Sequence, residues 1–203
     1  AAIGASDEVD DPLEAGVQLI SNLGFTALVP IVALVFASAS LGDMREDGTL
    51  VYLWRRPMDR WPVVIGAWLA ALTVGVPLTL VPLAVAAVAV DGGGALVGAT
   101  ILAGVVGVVA YTALFVLVGL LLRNPIGWGL GYILIWEGIV AAFGDFAARL
   151  AIRGYTRSII TAVTDIDLDL GDLALGGAIV VPLVASGVAL LLASMRLRSM
   201  DVA

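Results

Sequence analysis

Long apolar runs separated by short polar stretches dominate the pattern of this chain. A helix needs about 20 apolar residues to cross the hydrocarbon core of a bilayer. Five stretches reach that length, and we predict each as a membrane-spanning helix: residues 15–42, 61–90, 92–122, 126–148 and 173–195. The pattern predicts an all-α, polytopic membrane helix bundle in which residues 1–203 form one transmembrane domain.

The placement of arginine predicts the orientation of these spans, because cytoplasmic loops are enriched in basic residues. If the spans alternate, one side of the membrane receives Arg45, Arg55, Arg56, Arg60, Arg123, Arg196 and Arg198. The opposite side receives Arg149, Arg153 and Arg157 together with most of the acidic residues. We therefore expect a multi-pass protein of the plasma or inner membrane with a cytoplasmic C-terminus. Residues 1–14 and 149–172 would be external, and residues 43–60 cytoplasmic.

An external N-terminus is an unusual arrangement for five spans. A further helix that runs from inside to outside would give six spans with both ends in the cytoplasm. We therefore expect such a span to precede residue 1.

Composition narrows the possible chemistry. Hydrophobic residues make up 61% of the chain and charged residues 13%, against about 25% charged in soluble domains, so lipid is the expected surroundings. The absence of cysteine and histidine excludes structural zinc, iron–sulfur clusters and Ser-His or Cys-His nucleophiles. We expect no catalytic residue and no metal site. No basic patch could neutralise phosphates, so no nucleic-acid partner is expected.

Energy from ATP would have to come from another subunit. All ten basic residues of this chain are arginine, and a Walker A loop requires a lysine that reaches the phosphates. We therefore predict that the chain is not an ATPase and not an enzyme.

The polar segment 43–60 is the most informative connection. Its apolar and charged residues alternate at helical spacing, which predicts a short amphipathic helix on the inner membrane surface. Pro57 disfavours helical angles at Arg56, so the helix should break there. An ordinary loop that follows the positive-inside rule would explain the same pattern.

The run REDGTLVYLWRRPMDRW resembles the segment after the second helix of type-2 ABC exporter permeases. That family shows an acidic residue, Gly-Thr-Leu, Arg-Pro and an arginine three residues later. The matching positions here are Glu46, Gly48, Thr49, Leu50, Leu53, Arg56, Pro57 and Arg60. A second, weaker resemblance to the family's Trp-Glu-Gly run and its basic continuation covers Trp136, Glu137, Gly138, Arg149, Tyr155 and Arg157. Many relatives carry a lysine where this chain has Ala67.

The resemblance implies a six-span permease subunit that pairs with a second permease subunit and with two copies of a cytoplasmic ABC ATPase. Residues 43–60 would be the coupling segment that docks on the ATPase. ATP and magnesium would bind in that partner, with no cofactor in this chain. The implied function is export driven by ATP hydrolysis, with the direction resting on the resemblance alone. The cargo is not indicated.

Glu137 is the candidate intramembrane polar site, because a carboxylate inside a span is costly and usually faces protein or a water-filled cavity. It could contact substrate, relay protons, form a helix-to-helix hydrogen bond, or pair structurally with Arg149 or Arg153. Arg149 and Arg157 are the candidate external basic residues. Two other functions stay open, namely a non-catalytic structural subunit of a larger membrane complex and, with less support, an intramembrane enzyme.

Overall fold

The computed structural model describes residues 12–46, 59–90, 93–139, 150–164, 168 and 173–199, and every element among them is helical. The α-helices, in chain order, are α1 Pro12–Leu19, α2 Val29–Glu46, α3 Trp61–Ala89, α4 Gly93–Leu121, α5 Pro125–Gly131, α6 Ile152–Thr164 and α7 Leu175–Ser199. Two π-helical segments complete the described secondary structure: Ile20–Leu28 joins α1 to α2, and Tyr132–Glu137 continues α5.

Four helical stretches in the described part of the chain are long and apolar enough to cross a membrane: Gly16–Ser40, Trp61–Ala89, Gly93–Leu121 and Leu175–Ser199. They correspond to four of the five predicted spans. The remaining predicted span, 126–148, is described only as far as residue 139 and consists there of α5 and a π-helical segment. The count of five spans is therefore not confirmed, and a span before residue 1 stays a prediction.

Helix α4 lies at the centre of the bundle, packed against α2, α3, α6 and α7. Its glycines let the neighbouring helices approach closely, since a small residue brings two backbones together. Side chains of Val29 and Thr156 lie against Gly107, and the backbone of Ser38 lies 3.8 Å from the position that a Cβ of Gly119 would occupy. Helix α4 therefore contacts two different neighbours at the level of Gly107.

The contacts also give the helix directions. Val29 and Ser38 meet Gly107 and Gly119 in the same order, so α2 and α4 run parallel. Helix α3 runs antiparallel to α4, because Leu80 packs on Gly104 and Gly75 faces Val108. The start of α3 meets the end of α7, where Arg60 Nη1 donates a hydrogen bond of 3.0 Å to the carbonyl of Leu197. The C-terminal ends of α2, α4 and α7 and the start of α3 thus lie together, at what we call the Arg60 end.

Candidate functional site

Two short helical segments, which we call the half-helices, lie one after the other beside α4. The first is α5 with its π-helical continuation; it begins at the Arg60 end, where Asn124 Oδ1 accepts a hydrogen bond of 3.1 Å from the Gly127 N–H. Along it, the Tyr132 ring meets Phe115 of α4. The second is α6, in which Thr156 packs on Gly107 of α4. The two half-helices therefore follow one another along α4 in the antiparallel direction, like one helix with a break.

Glu137 joins the half-helices. Its Oε1 accepts hydrogen bonds of 3.0 Å from the Tyr132 hydroxyl and from the Ile152 N–H, and its Oε2 accepts one of 3.2 Å from the Arg153 N–H. The first N–H groups of a helix have no partner within it, and a carboxylate is the favoured acceptor there because of the helix dipole. Glu137 thus caps α6 across the break, and no part of its surface is exposed.

The break lies at membrane depth. Helix α4 has 29 residues and is about 43 Å long at a rise of 1.5 Å per residue, which exceeds the roughly 30 Å hydrocarbon core. Tyr111 of α4, which lies in the electrostatic field of Glu137, is about 15 Å from the Leu121 end by the same rise. Capping by a side chain has a physical reason there, since lipid supplies no hydrogen-bond acceptor.

The turn that ends the first half-helix depends on a glycine. The Gly138 N–H donates to the carbonyl of Ile133 at 2.9 Å, a hydrogen bond to the fifth residue back, as in a π-helix. A Cβ on Gly138 would lie 2.5 Å from the carbonyl oxygen of Leu134, closer than atoms tolerate. The Trp-Glu-Gly run therefore has a local structural role: the glycine closes the wide turn from Ile133 to Gly138, in which Glu137 lies.

Helix α6 carries two buried arginines one turn apart, Arg153 and Arg157, each 7% exposed. Arg157 Nη2 donates a hydrogen bond to Asn22 Oδ1 in the π-helical segment Ile20–Leu28. Arg157, the predicted external basic residue, is buried against the first apolar helix, and the side of the membrane on which it lies stays a prediction. Arg149, the other residue of that pair, lies outside the described residues.

Pairing with an arginine side chain was one of the roles left open for Glu137, and Arg149 lies outside the described residues. Glu137 binds Arg153, but through the backbone N–H. The buried Nε of Arg153 has no hydrogen-bond partner among the described residues, and no ion pair joins its guanidinium to Glu137. Among the readings left open for Glu137, the geometry shows a hydrogen bond between helices.

A row of three aromatic side chains, Tyr111, Phe115 and Tyr132, lies next to the contact between Glu137 and α6. The rings of Tyr111 and Phe115 stack with centroids 6.1 Å apart, and Phe115 meets the edge of Tyr132 at 6.2 Å. The Tyr111 hydroxyl is fully buried, and the Glu137 carboxylate is the main charged group that acts on it. The sequence reasoning missed Tyr111, Tyr132 and Asn22. A hydroxyl or amide inside an apolar run was the available signal, because such groups need partners in lipid.

An apolar cleft of about 250 Å³ opens between α4, α6 and α7, beside the break. Its polar residues are Tyr132, Tyr155 and Ser186. The apolar lining is Ala110, Leu114, Leu150, Ile152, Val181, Pro182, Ala185 and Ala189. Tyr132 thus lines the cleft and also donates a hydrogen bond to Glu137, so this one side chain connects the cleft to the cap of α6.

The coupling residues are described only in part. Arg60 Nη1 donates to the carbonyls of Leu197 at 3.0 Å and Arg198 at 3.5 Å, where a cation is favoured by the partial negative charge of a helix C-terminus. Helix α2 ends at Glu46, whose side chain is not described. Gly48, Thr49, Leu50, Arg56 and Pro57 lie outside the described residues. No group of three acidic, histidine or cysteine side chains that could hold a metal occurs where the structure describes the chain.

Four apolar helices long enough to cross a membrane, with the buried Glu137 among them, define the class: a multi-pass helical membrane protein with a polar centre inside the bundle. Residues 4–199 match the family model described as ABC-2 family transporter protein. The chain belongs to this family, and is thus a type-2 ABC permease, the membrane component of an ABC transporter. Such permeases are transport components, typically non-catalytic, and the family implies an ABC ATPase as partner. Comparison with curated proteins and with solved structures gave no match.

Proposed function

We propose that this permease couples ATP hydrolysis in its partner to the export of a cargo. Two copies of the ATPase and a second permease subunit would complete the transporter, with ATP and magnesium bound in the ATPase. The C-terminus and the coupling segment 43–60 would face the cytoplasm. Export rather than import rests on the resemblance to type-2 exporter permeases alone, and the arginine distribution supports only the orientation of the spans.

The observation that best supports coupling is the hydrogen bond between Arg60 and Leu197. Arg60 ends the proposed coupling segment and directly precedes α3, while Leu197 lies in the last turn of α7. A movement of the coupling segment would therefore act on α7 directly. Helix α7 also forms one wall of the cleft and packs against α4 and α6, so the same movement would reach the polar centre.

The proposed mechanism is a linkage between nucleotide state and membrane conformation. A ligand shifts a conformational equilibrium only by its differential affinity for the two states. Closure of the ATPase on ATP would favour one position of residues 43–60, and the Arg60 bond would carry this preference to α7. Reciprocally, anything that binds the cleft in one state would change the affinity of the ATPase for nucleotide.

A fluorescence experiment tests coupling without knowledge of the cargo. The chain contains no cysteine, so Ala185→Cys introduces a unique labelling position in the cleft wall of α7. In the complex with its co-purified ATPase, an environment-sensitive dye at residue 185 should change its emission on addition of ATP and vanadate. Arg60→Gln and Glu46→Gln should reduce this change by more than half while the ATPase stays bound.

Arg123→Gln is the matched control, since Arg123 is exposed and lies just beyond α4 at the Arg60 end. It should leave the emission change intact. An unchanged response in both Arg60→Gln and Glu46→Gln would contradict the proposed coupling route. Failure of any ATPase to co-purify would favour the structural-subunit alternative.

A further inference from the structure

A groove of about 280 Å³ lies at the Arg60 end of the bundle, between α3 and α7. We call it the α3–α7 groove. Its walls are Trp61 and Ile65 of α3 and Gly187, Leu190, Leu191 and Ser194 of α7. The Ser194 hydroxyl already donates a hydrogen bond of 2.7 Å to the Leu191 carbonyl of its own helix. The groove therefore offers an apolar surface, which suits a hydrocarbon chain.

The shape of the groove follows from the two helices. From Gly187 to Ser194 its α7 wall is about 10 Å long at a rise of 1.5 Å per residue. A Cβ on Gly187 would meet nothing within 4 Å, although a glycine inside a helix lowers its stability relative to alanine. Packing between helices thus does not explain the glycine, and the free space of the groove continues over it.

The end of the groove nearest the end of α7 is positively charged. Arg198 follows Ser194 by four residues, so the two side chains are neighbours on one face of α7. Arg60 precedes Trp61, and its Nη1 lies 3.5 Å from the Arg198 carbonyl oxygen. In the described residues 59–61 and 194–199, three arginines stand against one carboxylate, Asp59.

Trp61 places this charged end at the membrane surface. It is 51% exposed at the first position of α3, and tryptophan is enriched where the apolar core of a bilayer meets the headgroups. The apolar groove would then lie at the depth of the lipid chains and Arg198 at the depth of the headgroups. This order, apolar inside and cationic at the surface, matches an anionic phospholipid.

A second copy of this chain fits the groove less well. Two copies in one membrane have the same orientation, so a two-fold contact through the groove would bring the same patch of both copies together. The arginines around Arg60 and Arg198 would then face their own counterparts at one depth, and like charges repel. A phosphate headgroup removes this repulsion, since it is complementary to a guanidinium.

We propose that the α3–α7 groove binds an anionic phospholipid, with an acyl chain along Gly187, Leu191 and Ser194 and the phosphate headgroup at Arg198. Under the orientation proposed above, this lipid belongs to the cytoplasmic leaflet. It would contact α3 and α7 on either side of the hydrogen bond between Arg60 and Leu197, and so hold this corner of the bundle together. The inference goes beyond the proposed function, because lipid binding requires neither ATP nor export.

Native mass spectrometry tests the headgroup preference. The permease with its co-purified ATPase is released from nanodiscs of equal parts phosphatidylglycerol and phosphatidylcholine, and the wild type should retain mainly phosphatidylglycerol. Arg198→Gln should lower the ratio of the two retained lipids about fivefold, as expected for one arginine near the membrane surface. Arg198→Lys should keep most of the preference, since lysine also binds phosphate as a point charge.

Arg196→Gln is the matched control for the charge. Arg196 is exposed in the same last turn of α7, but two residues from Arg198, and so lies on nearly the opposite side of the helix. It should leave the lipid ratio unchanged. Gly187→Phe fills the groove from an open position and should reduce the number of both retained lipids by more than half. Gly187→Ala, its control, should retain them.

Three results would overturn the proposal. Equal lipid ratios in wild type and Arg198→Gln would show that this arginine binds no headgroup. An equal fall in Arg196→Gln and Arg198→Gln would indicate diffuse attraction to the net charge instead of a site. Lipid-free permease dimers that Gly187→Phe dissociates would show that a second copy fills the groove. None of these results would affect the ATP-dependent fluorescence change at residue 185, so the two proposals fail separately.

Discussion

Glu137 accepts a hydrogen bond of 3.0 Å from the N–H of Ile152, 15 residues further along the chain, in the interior of the bundle. Ordinary helix caps come from the residue next to the helix. Here the cap comes from the end of the preceding half-helix, so one carboxylate holds the two halves in line. The polar centre of this permease therefore depends on a contact between two helical segments that are far apart in the sequence.

Loss of this cap should destabilise the bundle. Glu137→Ala leaves the N–H groups of Ile152 and Arg153 without their acceptor in a buried place, at a cost of about 1–3 kcal/mol for an unsatisfied group. We expect a lower midpoint of thermal unfolding in detergent. Tyr132→Phe removes only one of the three hydrogen bonds and should cost about 0.6 kcal/mol, a typical value inside membrane proteins. Equal midpoints for wild type and Glu137→Ala would show that the cap contributes nothing.

Gly138→Ala should disturb the wide turn from Ile133 to Gly138, in which Glu137 lies. The added Cβ would lie 2.5 Å from the Leu134 carbonyl oxygen, so the turn must move, at a cost of about 1–3 kcal/mol. Gly131→Ala is the matched control, because a Cβ there meets nothing within 4 Å. It should be neutral or stabilise by up to about 1 kcal/mol through helix propensity. Thermal unfolding of both variants side by side measures the difference, which would vanish if the turn were free to relax.

The partly buried contact between Arg157 and Asn22 should show energetic coupling. Asn22→Leu removes the acceptor that Arg157 Nη2 uses, and a hydrogen bond to a charged group contributes about 1.5–3 kcal/mol. A double-mutant cycle with Arg157→Met, read by unfolding in a denaturing detergent, should give a coupling energy of at least about 0.5 kcal/mol. Strict additivity of the two substitutions would mean that the contact is not present in the membrane.

Trp68 and Thr112 provide a test of the packing of α3 on α4. The Trp68 indole N–H donates a hydrogen bond of 3.1 Å to Thr112 Oγ1, whose own hydroxyl donates to the Val108 carbonyl at 2.6 Å. Trp68→Phe should lower stability by about 0.6 kcal/mol for the hydrogen bond, plus the loss of packing. Trp128→Phe is the control, since Trp128 is 66% exposed. A larger effect of the control would argue against this helix pair.

The orientation of the permease is open to cysteine labelling, because the chain contains no cysteine of its own. Ser199→Cys at the Arg60 end and Leu175→Cys at the opposite end both replace exposed residues. A membrane-impermeant maleimide should label residue 199 in inside-out vesicles and residue 175 in intact cells, as the arginine distribution requires. The reverse labelling would place the C-terminus outside and invalidate the proposed docking of segment 43–60 on a cytoplasmic ATPase.

The sequence by itself determined that this protein lies in a lipid bilayer, that it is helical and to which family it belongs. Long apolar runs can only be satisfied in lipid as helices, since backbone groups find no other partner there, and the motif around Glu46 to Arg60 carried the resemblance that the family match confirms. These features are local, so residue order along the chain is enough to read them.

Tertiary structure alone decided how the polar residues meet. Apolar periodicity predicted a helix over residues 126–148, but it gave no sign that Glu137 caps the separate helix that starts at Ile152. Asn22 meets Arg157 across 135 residues, and Arg60 meets Leu197 across 137. Such pairings depend on which faces of the helices pack together. An apolar helix has no polar face, so its sequence does not show which side is turned toward the other helices. The packing and hydrogen-bond energies that select these pairs exist only once the helices are assembled around α4.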